Sequence, residues 1–490
     1  DGHEAYQSDE ETALLQIQHS AVPRHPEVTH ERIKPAHVWA VAFVFALIVI
    51  LFFASVLLMT STTDPVETHR LRLLIISPVF MLFYFANTTV VIPDSYDLMT
   101  EMNLGAAESG WLIASAWPLQ IVALCLLFFI KGWSWRLQRA LVLLSMLILC
   151  ASSFFYAAGA SPPSSWNNRR VFNWLIAARV AIGPNMIFGA FLRMAAQQVT
   201  LPSENVAWNM IFSLSITLGT GLGPIVSPVV AWCIGADEVR HRAAASSYAF
   251  AFIWAFMFIF SLVFVPGDLK TLVDEVKKRK GDIVQQNDEA ADMPLQNRRS
   301  IWWSGVWFTA ERSFIIAALE AATVLVLENE FGWSAQMGGF AVGASFLSTL
   351  PLTLVLMRIK AKRIASDTSL LKCVVFVGAL VTVLFFPIKG LRPGFATVLL
   401  LGVDCIVFAT GFAADGLMNG FATNHCEGND SFFSTSNYII ATQFIRVLPR
   451  AISPIVSRYL ISAHGRGMYA GLQLLMSSLG CVTCFHVAAT

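Results

Sequence analysis

Residues 207–233 read AWNMIFSLSITLGTGLGPIVSPVVAWC, a run without one charged side chain. A helix of this length can cross the roughly 30 Å hydrocarbon core of a bilayer. Hydrocarbon offers no water to unpaired backbone amides, so a segment that crosses it must pair them internally as a helix. The stretch therefore predicts a transmembrane α-helix.

Comparable apolar runs recur along the chain, which is 56% hydrophobic and 13% charged, with a mean hydropathy of +0.62. An ordinary soluble domain has about 45–50% apolar and about 25% charged residues. The composition predicts an all-α polytopic membrane protein. The order of the apolar runs predicts one N-terminal span followed by two groups of six spans. The remaining spans are predicted at 37–59, 71–92, 108–130, 138–159, 171–193, 246–266, 302–327, 336–357, 370–388, 395–420, 433–462 and 467–488.

The spacing of the runs divides the chain into two halves. Pro224-Ile225-Val226-Ser227 reappears as Pro454-Ile455-Val456-Ser457, in the fifth helix of each half, as an internal duplication would place it. Repeats of this kind place a solute site between the halves, near the midplane. The predicted segments are a polar tail (1–36), an extra helix (37–60), an N-terminal half (70–266), a charged linker or surface helix (267–300) and a C-terminal half (301–488).

Lysine and arginine predict the orientation of the chain. The loops 131–139, 267–300 and 358–372 hold fifteen of them, about twice as many as the intervening loops. The richer set is expected to be cytoplasmic. The net charge of +1 provides no basic field for nucleic acid. No arrangement of nucleophile, base and orienting group indicates an enzyme, and no cofactor or metal site is expected.

Charged side chains inside the spans are the candidate functional residues. A charge at the bilayer centre costs about 2.5–3.5 kcal/mol on the mildest scale, so it usually faces a cavity or a partner. Arginines can hold an oxyanion and carboxylates can carry a proton, but the same residues can instead pair with one another. The charges in question are Arg179, Arg193, Glu311, Arg312, Glu320, Asp404, Asp415, Arg446 and Arg450.

Within this set, Glu320 and Asp404 are predicted to couple transport to protons. Glu320 has no base at 316 or 324, which leaves it free for another helix or the solute. Arg179 is predicted to act as a structural brace or in gating, whereas Arg458, near a helix end, could extend its charged group to the interface.

Small and polar residues supply further candidates. Gly219, Gly223 and Pro224 are predicted to serve close helix packing or gating, since glycines four residues apart let helix backbones approach. Tyr84 and Asn87, in the first helix of the N-terminal half, either bind solute or join helices.

The stretches that carry these residues resemble the major facilitator proteins that bear an SPX domain in plant vacuoles. The matching residues are Tyr84, Asn87-Thr88, Ile92-Pro93, Tyr96, Leu104-Gly105-Ala106, Phe331-Gly332-Trp333-Ser334 and Leu350-Pro351. That family moves inorganic phosphate, and a related lysosomal branch lacks the SPX domain, as is expected of this chain. The resemblance implies that Arg193 and Arg446, at positions where the family has arginines, bind the anion, helped by Tyr84 and Asn87.

The expected function is therefore alternating-access transport of a small anion, phosphate first, in a vacuolar or endolysosomal membrane. The expected partners are the anionic solute, with or without a co-transported proton, and membrane lipid; no oligomer is required. Two alternatives stay open: an endolysosomal anion channel such as one for chloride, and a membrane scaffold subunit that transports nothing.

Overall fold

The computed structural model describes residues 64–130, 132–163, 165–201, 204–235, 238–281, 293–362, 364–388, 390–428 and 431–489. The predicted tail (1–36) and extra helix (37–60) lie outside the described residues. Within those ranges the chain is helical, apart from its connections and one isolated bridge between Glu427 and Ser434.

The N-terminal half forms six membrane crossings, of which the second and fourth are each made of two consecutive helices. One short helix, α2, lies in the connection after the first crossing. The helices of this half are α1 (Pro65–Thr89), α2 (Ser95–Glu101), α3 (Ala106–Ala114), α4 (Pro118–Ile130), α5 (Trp135–Ala160), α6 (Asn168–Ile182), α7 (Met186–Val199), α8 (Asn205–Ile234) and α9 (Val239–Phe264).

The C-terminal half follows the surface helix α10 (Leu269–Gly281). It contains α11 (Leu295–Phe331), α12 (Ala335–Leu347), α13 (Thr349–Ala361), α14 (Asp367–Thr382), α15 (Pro393–Asn424), α16 (Thr435–His464) and α17 (Arg466–Ala489). Helix α11 ends where Gly332 takes a φ of +67°, a left-handed conformation that glycine adopts without strain.

Eleven stretches of the described chain are long and apolar enough to cross a membrane. Helix α11 is not among them, because Glu311, Arg312 and Glu320 interrupt its apolar sequence. These three side chains are buried within the protein, and at 1.5 Å per residue α11 is long enough to cross. Counting α11, the two halves have six crossings each, which confirms the predicted all-α multi-pass architecture.

Three predicted spans contain breaks that hydropathy does not reveal. The predicted run 108–130 is divided at Ser115–Trp117, before Pro118 begins α4, and the run 336–357 is divided at Ser348. The run 171–193 contains a 3₁₀ turn at Gly183–Asn185 and continues to Val199. Proline has no amide hydrogen and favours the first turn of a helix, which accounts for the breaks at Pro118 and Pro184.

The segment predicted as a linker or surface helix (267–300) contains the surface helix α10. Its side chains Leu272, Val273 and Val276 are buried, and the helix packs on α1 and α7 of the N-terminal half. Residues 282–292 lie outside the described chain. Helix α11 begins at Leu295, so the C-terminal half includes the last residues of the predicted linker.

Three pairs of crossings make most of the contact between the halves. Helix α8 packs on α12 and on α15, and α16 packs on the crossing formed by α3 and α4. The glycines of α8 divide their contacts between the halves. A Cβ atom at Gly219 or Gly223 would overlap backbone oxygens of α1, whereas one at Gly221 would lie 2.5 Å from Phe346 Cβ of α12. The packing role predicted for Gly219 and Gly223 is therefore within the N-terminal half.

Candidate functional site

Five charged side chains from four helices lie near one another at the contact between the halves. We call them the central cluster: Arg193 of α7, Glu320 of α11, Asp415 of α15, and Arg446 and Arg450 of α16. None is more than 5% exposed. Three guanidinium groups face two carboxylates, so the cluster has an excess of positive charge when all five are ionised.

Arg446 and Asp415 form the ion pair of this cluster. Arg446 Nη2 donates to Asp415 Oδ2 at 2.9 Å and to Oδ1 at 3.2 Å. Asp415 also accepts from Asn419 Nδ2 at 3.0 Å and from Ser213 Oγ at 3.4 Å. Because Ser213 belongs to α8, the carboxylate of Asp415 links the two halves.

Arg193 is held less completely. Its Nη2 donates to Asn209 Oδ1 at 3.1 Å, and its guanidinium lies 4.7 Å from the centre of the Phe212 ring. Its Nε and Nη1 are buried and find no hydrogen-bond partner among the described residues. A buried donor without a partner costs about 1–3 kcal/mol, more when it is charged. Oxygens of a bound anion would remove that cost.

Arg450 and Glu320 form a second, looser pair. The Arg450 guanidinium lies 4.7 Å from the Phe85 ring and 5.2 Å from the Trp117 ring, both in the N-terminal half. Its Nε and Nη1, and Oε1 of Glu320, have no hydrogen-bond partner in the part of the chain that is described. The two charges interact electrostatically. A proton on Glu320 would weaken the hold on Arg450.

A cavity of about 800 Å³ opens on one face of the protein, and its lining includes Met194, the residue after Arg193. We call that face the basic face: it holds the ends of α4, α7 and α15, the start of α16, and α10. Both halves line the cavity, and half of the lining residues carry an amide or a hydroxyl, including Gln197, Asn205, Asn424, Ser434 and Ser436. Arg446 lies two helical turns beyond the lining residue Ile439, about 10 Å along the axis.

The opposite face is closed by close packing. A Cβ at Gly339 would lie 2.8 Å from Pro224 O, and one at Gly110 would lie 3.4 Å from the Ile455 backbone, so the halves meet nearly backbone to backbone. Arg458 also lies here and is fully buried. The expectation that Arg458 extends to the interface is wrong, because its side chain points into the contact between the halves.

Tyr84, Asn87 and Arg179 make contacts within the N-terminal half. Arg179 Nη1 donates to Asn87 O at 3.1 Å and Nη2 to Thr88 O at 2.5 Å, which are carbonyls of the last turn of α1. Tyr84 Oη donates to Gly183 O at 3.3 Å, and Asn87 Nδ2 donates to Ser153 Oγ at 3.3 Å. These are the contacts of a brace around the end of α1.

Asp404 lies apart from the central cluster. Its Oδ2 accepts from Thr323 Oγ1 at 2.7 Å, and Arg466 and Tyr469 are its charged and phenolic neighbours. All of these belong to the C-terminal half. The structure therefore brings together Arg193, Arg446 and Glu320 of the predicted residues, but not Asp404.

Apart from Asp415, sequence reasoning did not single out the polar groups that hold the cluster. Asn205, Asn209 and Ser213 recur every four residues on α8, and Asp415, Asn419 and Thr423 do so on α15. Residues four apart share one face of a helix, so each set forms a polar stripe on an otherwise apolar helix. The two stripes meet where Asn205 Nδ2 contacts Thr423 Oγ1 at 3.4 Å. The four-residue spacing of these polar residues is the feature of the sequence from which they could have been predicted.

Comparisons with known proteins agree with this architecture. The sequence profile of the family described as Major Facilitator Superfamily matches residues 76–454. The inward-open xylose transporter XylE of E. coli aligns with a TM-score of 0.60 and 13% identity over 84% of this chain and 95% of that one. No curated protein matches the sequence significantly.

Two further solved structures show the same fold. A form of XylE described as a proton:xylose symporter, bound to 6-bromo-6-deoxy-D-glucose, gives a TM-score of 0.63 at 14% identity over 86% of this chain and 96% of that one. A variant of the nucleoside transporter NupG gives 0.52 at 15% identity over 86% and 99%. At these identities the likeness concerns the fold alone.

Proposed function

Because the chain belongs to the Major Facilitator Superfamily, we propose that it is a secondary-active transporter of a small inorganic anion, phosphate first, working by alternating access. The observation that carries the choice of an anion is the central cluster. Its guanidinium groups outnumber its carboxylates, and Arg193 and Arg450 each keep two buried nitrogens without a hydrogen-bond partner among the described residues.

The anion is held between the halves. Arg193 belongs to the N-terminal half and Arg446 to the C-terminal half, and they lie within electrostatic range of each other. A planar guanidinium presents paired donors that match two oxygens of a phosphate. An anion bound by both would offset their mutual repulsion and draw the halves together on the basic face. Binding then favours occlusion, which is the step that alternating access requires.

Glu320 supplies the coupling group in this proposal. It belongs to the central cluster and interacts with Arg450, whereas Asp404 lies within the C-terminal half. When Glu320 carries a proton, one more positive charge in the cluster is available to the anion. Proton and anion binding would therefore support each other, as symport requires. We assign Asp404 to the packing of α11 against α15.

Tyr84, Asn87 and Arg179 take supporting roles. Arg179 fixes the end of α1, and Tyr84 interacts electrostatically with both Arg179 and Arg450. The positioning of Phe85, which contacts Arg450, depends on that end of α1. We propose that these residues shape the site from the N-terminal half without binding the anion directly.

Phosphate and the organelle rest on the resemblance to the SPX-bearing vacuolar proteins and their lysosomal relatives. We propose a vacuolar or endolysosomal membrane on that basis. Against a channel, the cavity opens on one face only, the central cluster is buried, and the opposite face is closed by backbone contacts. That arrangement favours a carrier, in which only one face is open at a time.

The test is uptake of radiolabelled phosphate into liposomes that contain the purified protein, with and without a pH gradient. We expect saturable uptake stimulated by the gradient. Arg193→Ala should abolish it, and Arg193→Lys, which keeps the charge but loses the paired donors, should raise the KM for phosphate severalfold. Arg169→Ala, at an exposed position on α6, is the matched control.

Two results would contradict the proposal. Normal phosphate uptake by monodisperse Arg193→Ala protein would remove the site assignment. Absence of phosphate uptake by the folded wild-type protein would remove the substrate, and chloride currents through the same liposomes would then favour the channel.

A further inference from the structure

On the closed face, opposite the basic face, a buried guanidinium group links the two halves. Arg458 of α16 donates through Nη1 to Ser109 Oγ of α3 and through Nη2 to Ser95 Oγ of α2 at 3.3 Å, both in the N-terminal half. Its Nε donates to Ala321 O of α11 at 3.2 Å. The bonds to Ser95 and Ser109 can exist only while the two halves meet on this face, whereas the bond to Ala321 stays within the C-terminal half.

Glu328 lies on the same side of α11 as Ala321, two helical turns further along. Both of its carboxylate oxygens are shielded from solvent, and neither has a hydrogen-bond partner in the described part of the chain. A shielded carboxylate that lacks partners is costly in its ionised form. The anion-binding site does not use this group, and no contact that the described residues make on the closed face satisfies it.

The charges that face Glu328 come from both halves. Arg458 attracts the carboxylate, while Asp94, just before α2, and Asp97, within α2, repel it. The two aspartates share Arg242 of α9, whose Nε lies 3.0 Å from Asp94 Oδ1 and whose Nη2 lies 3.5 Å from Asp97 Oδ2. Three carboxylates thus face two guanidinium groups. One added proton would balance the set.

We propose that Glu328 is a proton-binding residue of this closed face, taking up a proton when the halves meet and releasing it when they separate. The proton comes from water of the compartment on that side and binds a carboxylate oxygen of Glu328. Closure removes water from the Glu328 carboxylate and brings it toward Asp94 and Asp97. Both effects favour the neutral, protonated form of Glu328. Acidification of that compartment then favours closure.

The ionised form of Glu328 acts in the opposite direction. Its charge attracts Arg458, which belongs to the same half, and so competes with Ser95 and Ser109 of the other half. It also repels Asp94 and Asp97 across the contact. Both effects separate the halves on this face, and the resulting hydration stabilises the carboxylate.

The experiment measures the distance between the halves at several pH values. Nitroxide labels on Ala107 of α3 and Ser462 of α16, both exposed on this face, are placed in a background without native cysteines and read by double electron–electron resonance. For the wild type we expect the long-distance fraction to rise with pH. One linked proton allows at most about a tenfold change in the open-to-closed ratio per pH unit.

The variants separate Glu328 from other titrating groups. Glu328→Gln should show the closed distance at every pH, and Glu328→Asp should keep a pH dependence. Glu330→Gln is the matched control, because Glu330 lies two residues away but pairs with Arg466 at 3.1 Å on the surface. Arg458→Met should show the open distance at every pH, since its cross-half bonds are lost.

A wild-type distance that does not change with pH would overturn the proposal, as would a Glu328→Gln protein that responds as the wild type does. If Glu328→Gln is not monodisperse, Glu328→Met provides a second neutral side chain of similar length for the same comparison. The readout requires no substrate. A failure of phosphate uptake therefore leaves it intact, and a failure here leaves the anion site intact.

Discussion

At the scale of single residues, Arg193 and Arg446 both belong to the central cluster but have different partners. Arg446 already has a carboxylate, because Asp415 lies 2.9 Å away, whereas Arg193 has an amide and an aromatic ring. An entering anion must share Arg446 with Asp415. That competition sets how tightly the anion binds and how readily it leaves.

Replacement of Asp415 by Asn tests this competition. The side chain keeps its shape but loses the charge that repels the anion, so we expect the KM for phosphate to fall severalfold. The maximal rate should also fall, because release slows. Initial rates of uptake over a range of phosphate concentrations measure both. Asp404→Asn is the matched control, and an equal fall in KM there would contradict the assignment.

The sequence allowed some of these residues to be predicted, because a charged residue in the middle of an apolar run must lie deep in the membrane. An arginine or glutamate in the middle of an apolar run must find a partner, which placed Arg193, Arg446 and Glu320 among the nine candidate charges. The resemblance to the SPX-bearing proteins then favoured the two arginines as the anion site. The direction of a side chain around its helix axis depends on how the helices pack. Tyr84 and Asn87 were predicted at the solute site, but they face Gly183 and Ser153 within their own half.

At the scale of elements, α8 has two packing faces that differ in what they hold together. Gly219 and Gly223 allow α1 to approach within the N-terminal half, while Gly221 allows α12 to approach from the C-terminal half. The first contact must persist through the transport cycle. The second must break whenever the closed face opens.

We expect substitutions at these glycines to have different effects: one lowers thermal stability, and the other shifts the balance between the open and closed conformations. Gly219→Val would press a side chain into the backbone of α1 and should lower the melting temperature markedly, since overpacking costs about 1–3 kcal/mol or more. Gly221→Val should melt near the wild-type temperature but favour the open distance between labels on Ala107 and Ser462. Equal loss of thermal stability in both variants would contradict this division.

At the scale of the whole molecule, the number of crossings follows from apolarity alone, because each crossing needs about 20 apolar residues. The breaks within three of the crossings do not follow from apolarity, since a proline or serine leaves the hydropathy of an apolar run almost unchanged. The helix α11 shows the converse. Its charges remove it from a composition-based count, yet those charges are buried against α15, α16 and α17.

The arrangement of one open and one closed face makes a prediction about access. Ser436 lines the cavity of the basic face, and Ser462 is exposed on the opposite face. In a background without native cysteines, Ser436→Cys should react with a membrane-impermeant maleimide only from the side of the basic face. Ser462→Cys should react only from the other side. Sealed vesicles of known orientation distinguish the two.

Phosphate should slow the reaction at Ser436→Cys severalfold, because an anion between Arg193 and Arg446 draws the halves together over the cavity. Chloride at the same ionic strength is the control, since screening alone would act equally with both salts. Addition of Arg193→Ala should remove the protection while leaving the unprotected rate unchanged. Protection that survives this substitution would place the anion elsewhere in the cavity, with Arg193 reduced to a partner of Asn209.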